Sequence, residues 1–372
     1  MDLARSDTQR LVMEEARRFL SSELSRARRA AWDKEPTGCD AKFWRAVAEL
    51  GWFGYGLPEQ YGGQGASLLD VGLLMEECGR AAVPMAIFSA VTGALALNAL
   101  GTAAQKKAWL PAVARGEKLV TLAVAEKSAV TNPAAFVTTV QQRKGALRLS
   151  GEKRYVLQGG NAHAFLVAAR DEQGVSLVLV PSEVSGVHIL PLETFGKDRQ
   201  SIVRFDEVTL PTTAIASAPG KAWPKLEQLR ARFATLLCAD MVGGGDAVLD
   251  MTCAYVAERE QFGVKIGTFQ AVQQMAAVMA IELEGARGVT HQALWRLAHG
   301  KPADREVAIA KAWTGHTYVN LTLTAHQLHG GAGYVLEHEL HRYSARAAAA
   351  ELLFGSSEEW LVALADGLKL VR

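Results

Sequence analysis

The densest cluster of chemically useful side chains runs from Glu258 to Gln270, in the order Glu-Arg-Glu-Gln-Phe-Gly-Val-Lys-Ile-Gly-Thr-Phe-Gln. A long apolar-periodic segment ends there in an arginine and an aromatic, turns through two glycines, and restarts at Phe269-Gln270. Arg259 can hold a diphosphate through its planar fork, Phe262 can pack on a flat ring, and Gln270 can bond a polar edge. A second turn, Gln327-Leu328-His329-Gly330-Gly331-Ala332-Gly333-Tyr334, follows another long segment. The bare backbone amides of Gly330 and Gly331 allow close approach of a nucleotide. Either turn alone is weak evidence, because glycines commonly end helices. The pair, in this order on these helices, is specific.

Other constellations carry less. Gly243-Gly244-Gly245 sits inside a helical stretch, whereas a phosphate loop must follow a strand and open a helix. Small residues there are expected to serve close helix packing. His326, His329, His338 and His341 fall in two i, i+3 pairs, but a third ligand and a carboxylate shell are missing, and HELH is not the HExxH spacing of a zinc protease. They are read as solvated or hydrogen-bonding histidines, with no metal. There is no GxSxG elbow and no cysteine with an evident base, so a hydrolase has little support.

The elements that position these residues fall into three blocks. The 372 residues carry 40 Lys+Arg against 39 Asp+Glu, a net charge of +1, so no basic field for nucleic acid or anionic membrane stands out. With 49% hydrophobic and 21% charged residues, a disordered chain is excluded. The scattered Cys39, Cys78, Cys238 and Cys253 form no CxxC pair, which fits a reducing, cytoplasmic setting. No secretory h-region is read at the N-terminus. Ala81 to Gln105 is uncharged, but it is rich in alanine and holds Pro84 and Asn98, so it reads as a buried core helix and not a membrane span.

Residues 1–117 read as helical. Ser6 caps the first helix, Leu68 to Ala82 and Met85 to Ala99 follow, and Thr102 caps a further helix to Arg115. Residues 118–222 alternate short apolar runs with Gly, Pro and Asp turns, which predicts an antiparallel β domain. Residues 223–372 are helical again, with long segments at Leu226 to Arg259, Gln270 to His299 and Asp304 to Leu328. This predicts a helical bundle and an oligomer interface. The order is not an alternating βαβ chain, so a nucleotide-binding parallel sheet is not expected.

With these residues in view, the sequence resembles the acyl-CoA dehydrogenase family over nearly its whole length. Gly56 to Gly63 (GLPEQYGG) is similar to the family's N-terminal loop, Arg259 to Gln270 to its RxxFGxxIxxFQ segment, Gln327 to Gly333 to its QxxGGxG turn, and Phe205 to Val208 to the strand closing its β domain. The resemblance implies an α+β multidomain fold: an N-terminal helical domain, a middle β domain and a C-terminal four-helix bundle, assembled as a dimer or a dimer of dimers. It implies flavin adenine dinucleotide (FAD) as cofactor, with Arg259, Phe262, Gln270, Gln327, Gly330 and Gly331 as cofactor contacts. It implies an acyl-CoA substrate and an electron-transfer flavoprotein as acceptor. In the family's reaction a carboxylate removes the α-proton of the thioester while the β-hydride passes to the flavin. By resemblance, the helix Met85 to Leu100 would line the acyl pocket.

The departures from the family pattern fall together. The base is usually a glutamate before a Gly-Thr or Gly-Ser pair; here Phe354 holds that position, in Leu353-Phe354-Gly355-Ser356. The other base position seen in the family, on the first long C-terminal helix, falls near Phe233. Asp240, two turns further along, is the remaining carboxylate candidate. The flavin-edge segment TEPxAGSD becomes Ala125 to Asn132 (AEKSAVTN), and the Trp-Ile-Thr whose threonine bonds the flavin ring becomes Tyr155-Val156-Leu157. In the family, the ring and base site come from one subunit, and the adenine and diphosphate contacts come from its neighbour. This chain keeps what it would give to a neighbour and lacks several groups it would use itself. The pattern implies one subunit of a heteromer whose partner supplies the base, as in some bacterial dehydrogenases of steroid side-chain breakdown that hold flavin in half their sites. The alternatives are a self-sufficient homo-oligomer with a relocated base, a flavin monooxygenase of the same fold, and a non-catalytic acyl-CoA-binding scaffold. An adjacent reading frame encoding a glutamate base would favour the heteromer.

Overall fold

The computed structural model describes residues 5–127, 133–216 and 219–370. The N-terminal part holds helices α1 (Asp7–Glu23), α2 (Arg26–Trp32), α3 (Ala41–Glu49), α4 (Leu68–Arg80), α5 (Met85–Leu100) and α6 (Ala103–Ala114). Seven strands follow: β1 (Val120–Ala123), β2 (Thr139–Arg143), β3 (Ala146–Leu157), β4 (Ala164–Arg170), β5 (Val175–Pro181), β6 (Val187–Pro191) and β7 (Gln200–Pro211). The C-terminal part holds α7 (Trp223–Glu258), a small hairpin of β8 (Glu260–Gln261) and β9 (Val264–Lys265), then α8 (Gln270–Ala298), α9 (Asp304–His329), α10 (Leu340–Leu352) and α11 (Ser357–Gly367). Among the described residues, no helix is long and apolar enough to cross a membrane. The chain folds into two compact units, each assembled from separate stretches of sequence.

One unit comprises Arg29–Ala66 and Pro84–Leu229. Its sheet runs β1-β4-β2-β3-β7-β6, with β5 paired to β4. The expected antiparallel pairing holds for β2-β3, β3-β7, β4-β5 and β6-β7. β1 and β2 depart from it, each running parallel to β4 (Val120 opposite Ala164, Thr139 opposite Arg170), so the sheet is mixed. Parallel neighbours need a long crossover, and β2 and β3 lie between β1 and β4 in the chain. β4 and β5 are buried along six successive residues each, as strands covered on both faces are. On β7, Val203 and Phe205 face the core; the extra residue at Glu207 (φ +51) resets the alternation so that Val208 and Leu210 face it too. α5 is buried nearly all round, as the uncharged stretch predicts. A Cβ on its Gly93 would fall 1.7 Å from the Val120 carbonyl oxygen, so glycine lets the helix lie directly on β1. Thr102 caps α6 in a capping box with Gln105.

The other unit comprises Met1–Arg28, Ser67–Val83 and Arg230–Arg372. Ser6 caps α1, again in a capping box, with Gln9. α9 packs against α8, α10 and α11, and α4 packs against α1 and α8. The Gly243-Gly244-Gly245 run lies in α7 and meets three helices. Added Cβ atoms would come 1.7 Å from the Glu76 carbonyl oxygen of α4, 2.3 Å from the Tyr318 hydroxyl of α9 and 2.7 Å from Leu283 of α8. These glycines are packing residues, as their context predicts. α4 carries two buried glutamates: Glu77 accepts from Arg17 (2.7 and 2.9 Å), and Glu76 accepts from Arg287 with the His291 ring nitrogen 2.7 Å away.

Candidate functional site

Arg259 is the first residue beyond α7. Its N–H donates to Tyr255 O, and its carbonyl accepts from Ile266 N. Between these bonds the chain makes the β8-β9 hairpin, pairing Glu260 with Lys265 and Gln261 with Val264. The two loop residues, Phe262 (φ +55) and Gly263 (φ +79), both take the left-handed conformation that a tight hairpin turn requires. The glycine adopts it without strain; Phe262 adopts it while 94% exposed, its ring edge-on to that of Phe269 with centroids 6.3 Å apart. An exposed ring held at a strained hairpin tip fits a flat ligand or a partner surface. Arg259 is exposed, and its guanidinium bonds to no described residue. α8 starts at Gln270 without a side-chain cap on its first amides. An unpaired arginine and an uncapped helix N-terminus suit an anionic group.

The second turn follows α9. Gln327 is exposed on its last turn. Gly330 has φ +55 and ψ −140, which a side chain would resist. At Gly330 and Gly331 an added Cβ would meet nothing within 4 Å, so both present bare backbone outward. Gly333 is different: its Cβ would lie 2.9 Å from that of His329. The two turns meet through Tyr255, whose ring stacks on His329 at 4.4 Å and whose hydroxyl donates to His329 O at 3.3 Å. The fold therefore brings Arg259, Phe262 and Gln270 to the same end of the helical unit as Gln327, Gly330 and Gly331.

The two expected base positions also come together. Phe354 sits between α10 and α11 at φ +60, followed by Gly355 at φ +105. Its ring lies 6.0 Å from that of Phe233, itself fully buried on α7, at an interplanar angle of 61°. The loop is firmly built. Buried Lys311 donates to the carbonyls of Glu351 (2.7 Å) and Gly355 (2.8 Å), while Trp360 Nε1 (3.1 Å) and Arg230 (3.4 Å) donate to that of Phe354. Glu351 turns its carboxylate to the Ser357 amide at the start of α11. Asp240 must be withdrawn as a base. It is fully buried and bound on both oxygens by Arg346, at 2.8 and 2.5 Å, and Arg346 also donates to Val83 O. Burial alone would pull the Arg346 guanidinium down, but Asp240 beside it holds it above its ordinary value. A carboxylate held in this way is structural.

In the β unit, Leu157 is buried and offers only its carbonyl, which accepts from Thr121 Oγ1 (2.8 Å) and Ser89 Oγ (3.4 Å). Tyr155, two residues earlier, has φ +56 at a break in the β3-β7 register and is exposed. Of the Ala125 to Asn132 segment, residues 128–132 lie outside the described residues. Its Glu126 forms a pair that sequence reasoning missed. The carboxylate accepts from Lys153 Nζ (2.7 Å) and from the amides of Val137 (2.7 Å) and Thr138 (3.1 Å). Burial by itself would raise the Glu126 carboxyl; Lys153 and the amides outweigh it and hold it below its ordinary value. Burial pulls the Lys153 amine down to about 8 against the attraction of Glu126. A cleft of about 580 Å³ opens beside the pair, lined by Glu126, Lys127, Glu152, Arg204, Asp206 and Glu207 among others. Its carboxylates outnumber its cations, so it does not suit a diphosphate. Among the described residues no group of three or more His, Cys, Asp or Glu is placed to hold a metal ion.

Comparison with known domain families matches the acyl-CoA dehydrogenase N-terminal domain at residues 6–117, the middle domain at residues 121–208 and the C-terminal domain at residues 230–368. The chain belongs to the acyl-CoA dehydrogenase family. This acyl-CoA dehydrogenase-like chain is 29% identical to the probable acyl-CoA dehydrogenase YngJ of Bacillus subtilis, over 84% of its own length and 86% of YngJ. It is 30% identical to a solved chain of a variant of the Tcur3481-Tcur3483 steroid ACAD, covering 98% of each chain with a TM-score of 0.88. PigA, solved in complex with FAD, shares the fold at 23% identity, 100% coverage of both chains and a TM-score of 0.93.

Proposed function

We propose that this chain is one subunit of a flavin-dependent acyl-CoA dehydrogenase, giving adenine and diphosphate contacts to FAD held jointly with a partner subunit that supplies the catalytic base. One observation carries the reading: both base positions hold phenylalanines packed on each other, while the turns that would serve a neighbour's flavin remain exposed. The withdrawal of Asp240 removes the one carboxylate considered for a self-sufficient enzyme. The name of the Tcur3481-Tcur3483 steroid ACAD joins two protein designations, which is in keeping with a two-subunit enzyme.

In this reading, Arg259 clamps the diphosphate, with the start of α8 at Gln270 beside it, Phe262 packs on the cofactor, and Gln327, Gly330 and Gly331 meet the adenine end. When bound, FAD supplies the acceptor for the β-hydride of an acyl-CoA. The α-proton goes to a carboxylate of the partner, because neither Phe233 nor Phe354 can take it. An electron-transfer flavoprotein would be the final electron acceptor. The test is to mix the chain with a candidate acyl-CoA dehydrogenase subunit that carries a glutamate base and read the assembly by native mass spectrometry. A complex containing both chains and FAD supports the proposal; two separate homo-oligomers, each with its own FAD, would overturn it.

A further inference from the structure

Under the Gly330–Tyr334 turn lies a group of histidines that the flavin reading does not use. His326 and His329 are both nine-tenths buried or more, at 8% and 3% exposure. His326 stacks on Tyr334 at 4.7 Å, and His329 stands edge-on to His338 at 4.7 Å while stacking on Tyr255. Each buried ring has one bonded nitrogen. His326 Nε2 meets Ser344 Oγ at 2.6 Å, and His329 Nδ1 donates to Ala325 O at 2.7 Å. The other nitrogens, His326 Nδ1 and His329 Nε2, are buried with no partner at hydrogen-bond geometry among the described residues. His338 Nδ1 accepts from Leu340 N at 3.3 Å. The turn rests on these rings, with Gly333 so close to His329 and His326 that no Cβ fits.

We propose that His326, His329 and His338 form a pH-sensitive latch that holds the Gly330–Tyr334 turn closed while the rings are neutral and releases it when they are protonated. A second proton on His329 would place an N–H in a buried position without an acceptor and put like charges among three neighbouring rings. The surrounding groups compensate only in part. The Gly333 backbone favours protonation of His326, but burial and His329 outweigh it. Glu339 favours protonation of His338, but it also pairs with Arg342 at 3.4 Å. His341, whose Nδ1 is bonded to His338 O, opposes protonation of His326 and His338; the rings of Tyr255 and Tyr334 stack on His329 and His326. Burial first, then the neighbouring histidines, push His326 and His338 below the ordinary histidine range, and burial does the same to His329. With folded values lowered, the closed turn is fully stable above the unfolded histidine value and loses stability as pH falls from that value down through the lowered folded ones.

The latch stands on this chain's own geometry. Its consequence, loss of a shared flavin on acidification, rests on the proposed function, so the test is made without flavin. Backbone amide exchange of residues 330–338 in the full-length chain, corrected for intrinsic rates, is followed from about pH 8 to about pH 5, alongside imidazole C2 exchange read by mass spectrometry. Protection of the turn should fall by about tenfold for each unit by which a histidine is lowered, at the pH where the three rings titrate, while residues 307–322 of α9 stay protected. His329→Phe, which keeps the ring on Tyr255 but cannot titrate, should weaken the pH dependence. Protection independent of pH, or opening at a pH where none of the three rings titrates, would overturn the latch. So would undiminished pH dependence in a chain with all three histidines changed to phenylalanine. If that variant does not fold, the first two outcomes in the native chain still decide.

Discussion

Phe233 on α7 and Phe354 between α10 and α11 stand ring to ring at 6.0 Å and 61°. They are 121 positions apart in the chain, and they occupy the two places where the family resemblance looks for a carboxylate. Packed aromatics of this kind are worth about 0.5–1.5 kcal/mol beyond the area they bury, so the pair has a reason to persist as packing. Neither ring can accept a proton, and the loop around Phe354 is held in place by Lys311, Arg230 and Trp360 all the same.

Restoring a carboxylate at one place should therefore fail. In Phe354→Glu the new group would face Phe233 and have its pKa raised by burial, and the altered Tyr155-Val156-Leu157 segment would remain. The chain produced alone should show no acyl-CoA-dependent bleaching of added FAD. A large gain of oxidation from this one substitution would show that the flavin-ring site is intact.

Arg259→Ala should separate folding from cofactor retention. The guanidinium bonds to no described residue, so thermal stability of the isolated chain should be nearly unchanged. A charge-assisted phosphate bond is worth roughly 1.5–3 kcal/mol, so FAD dissociation from the assembled complex should quicken by roughly one to two powers of ten. Arg259→Lys should recover part of this, lacking the planar fork. Equal FAD retention with Ala would reduce Arg259 to a surface charge.

The glycines should divide in the same way. Gly243→Ala drives a Cβ against the Glu76 carbonyl, and overpacking of this kind typically costs about 1–3 kcal/mol or more. Gly331→Ala meets nothing within 4 Å; it should leave denaturant stability unchanged and weaken FAD retention. Similar unfolding midpoints for the two variants would contradict the assignment.

Asp240→Asn tests the withdrawn base. Removing one charge of a buried, doubly bonded pair costs about 3–5 kcal/mol, so the variant should melt well below the native chain. A variant with native melting behaviour and abolished turnover in the complex would return Asp240 to catalysis.

Lys153 gives a test by pH. Its amine is lowered to about 8 in the fold, so between about pH 8 and the unfolded lysine value of about 10.4 the unfolded chain binds the proton that the folded chain has released. Native stability relative to Lys153→Met should rise across that window. A flat difference would place the amine near its ordinary value.

Much of this was legible in the sequence because it rests on local chemistry. Ser6 and Thr102 have an oxygen to offer an amide three residues on, and both form capping boxes. The run Gly243 to Gly245 lacks a preceding strand and so reads as helix packing. What escaped depends on distant partners. β2, Thr-Val-Gln-Gln-Arg, has almost no apolar pattern and exists because β3 pairs with it. The alternation along β3 is interrupted by a register break at Lys153 to Val156, set by its pairing with β7. Asp240 reads as a candidate base only until Arg346, 106 positions away, is seen on both its oxygens. The Glu126–Lys153 pair leaves no periodic trace, since each residue lies in a different segment and is buried only by the other's arrangement.

The most direct measurement is the flavin content of this chain purified alone, followed on addition of an acyl-CoA, and repeated with the partner subunit present. The chain alone should hold little FAD and show no bleaching, while the complex should be yellow and bleach. A yellow homo-oligomer of this chain, with one FAD per subunit that bleaches on adding an acyl-CoA, would contradict the shared-flavin assignment outright.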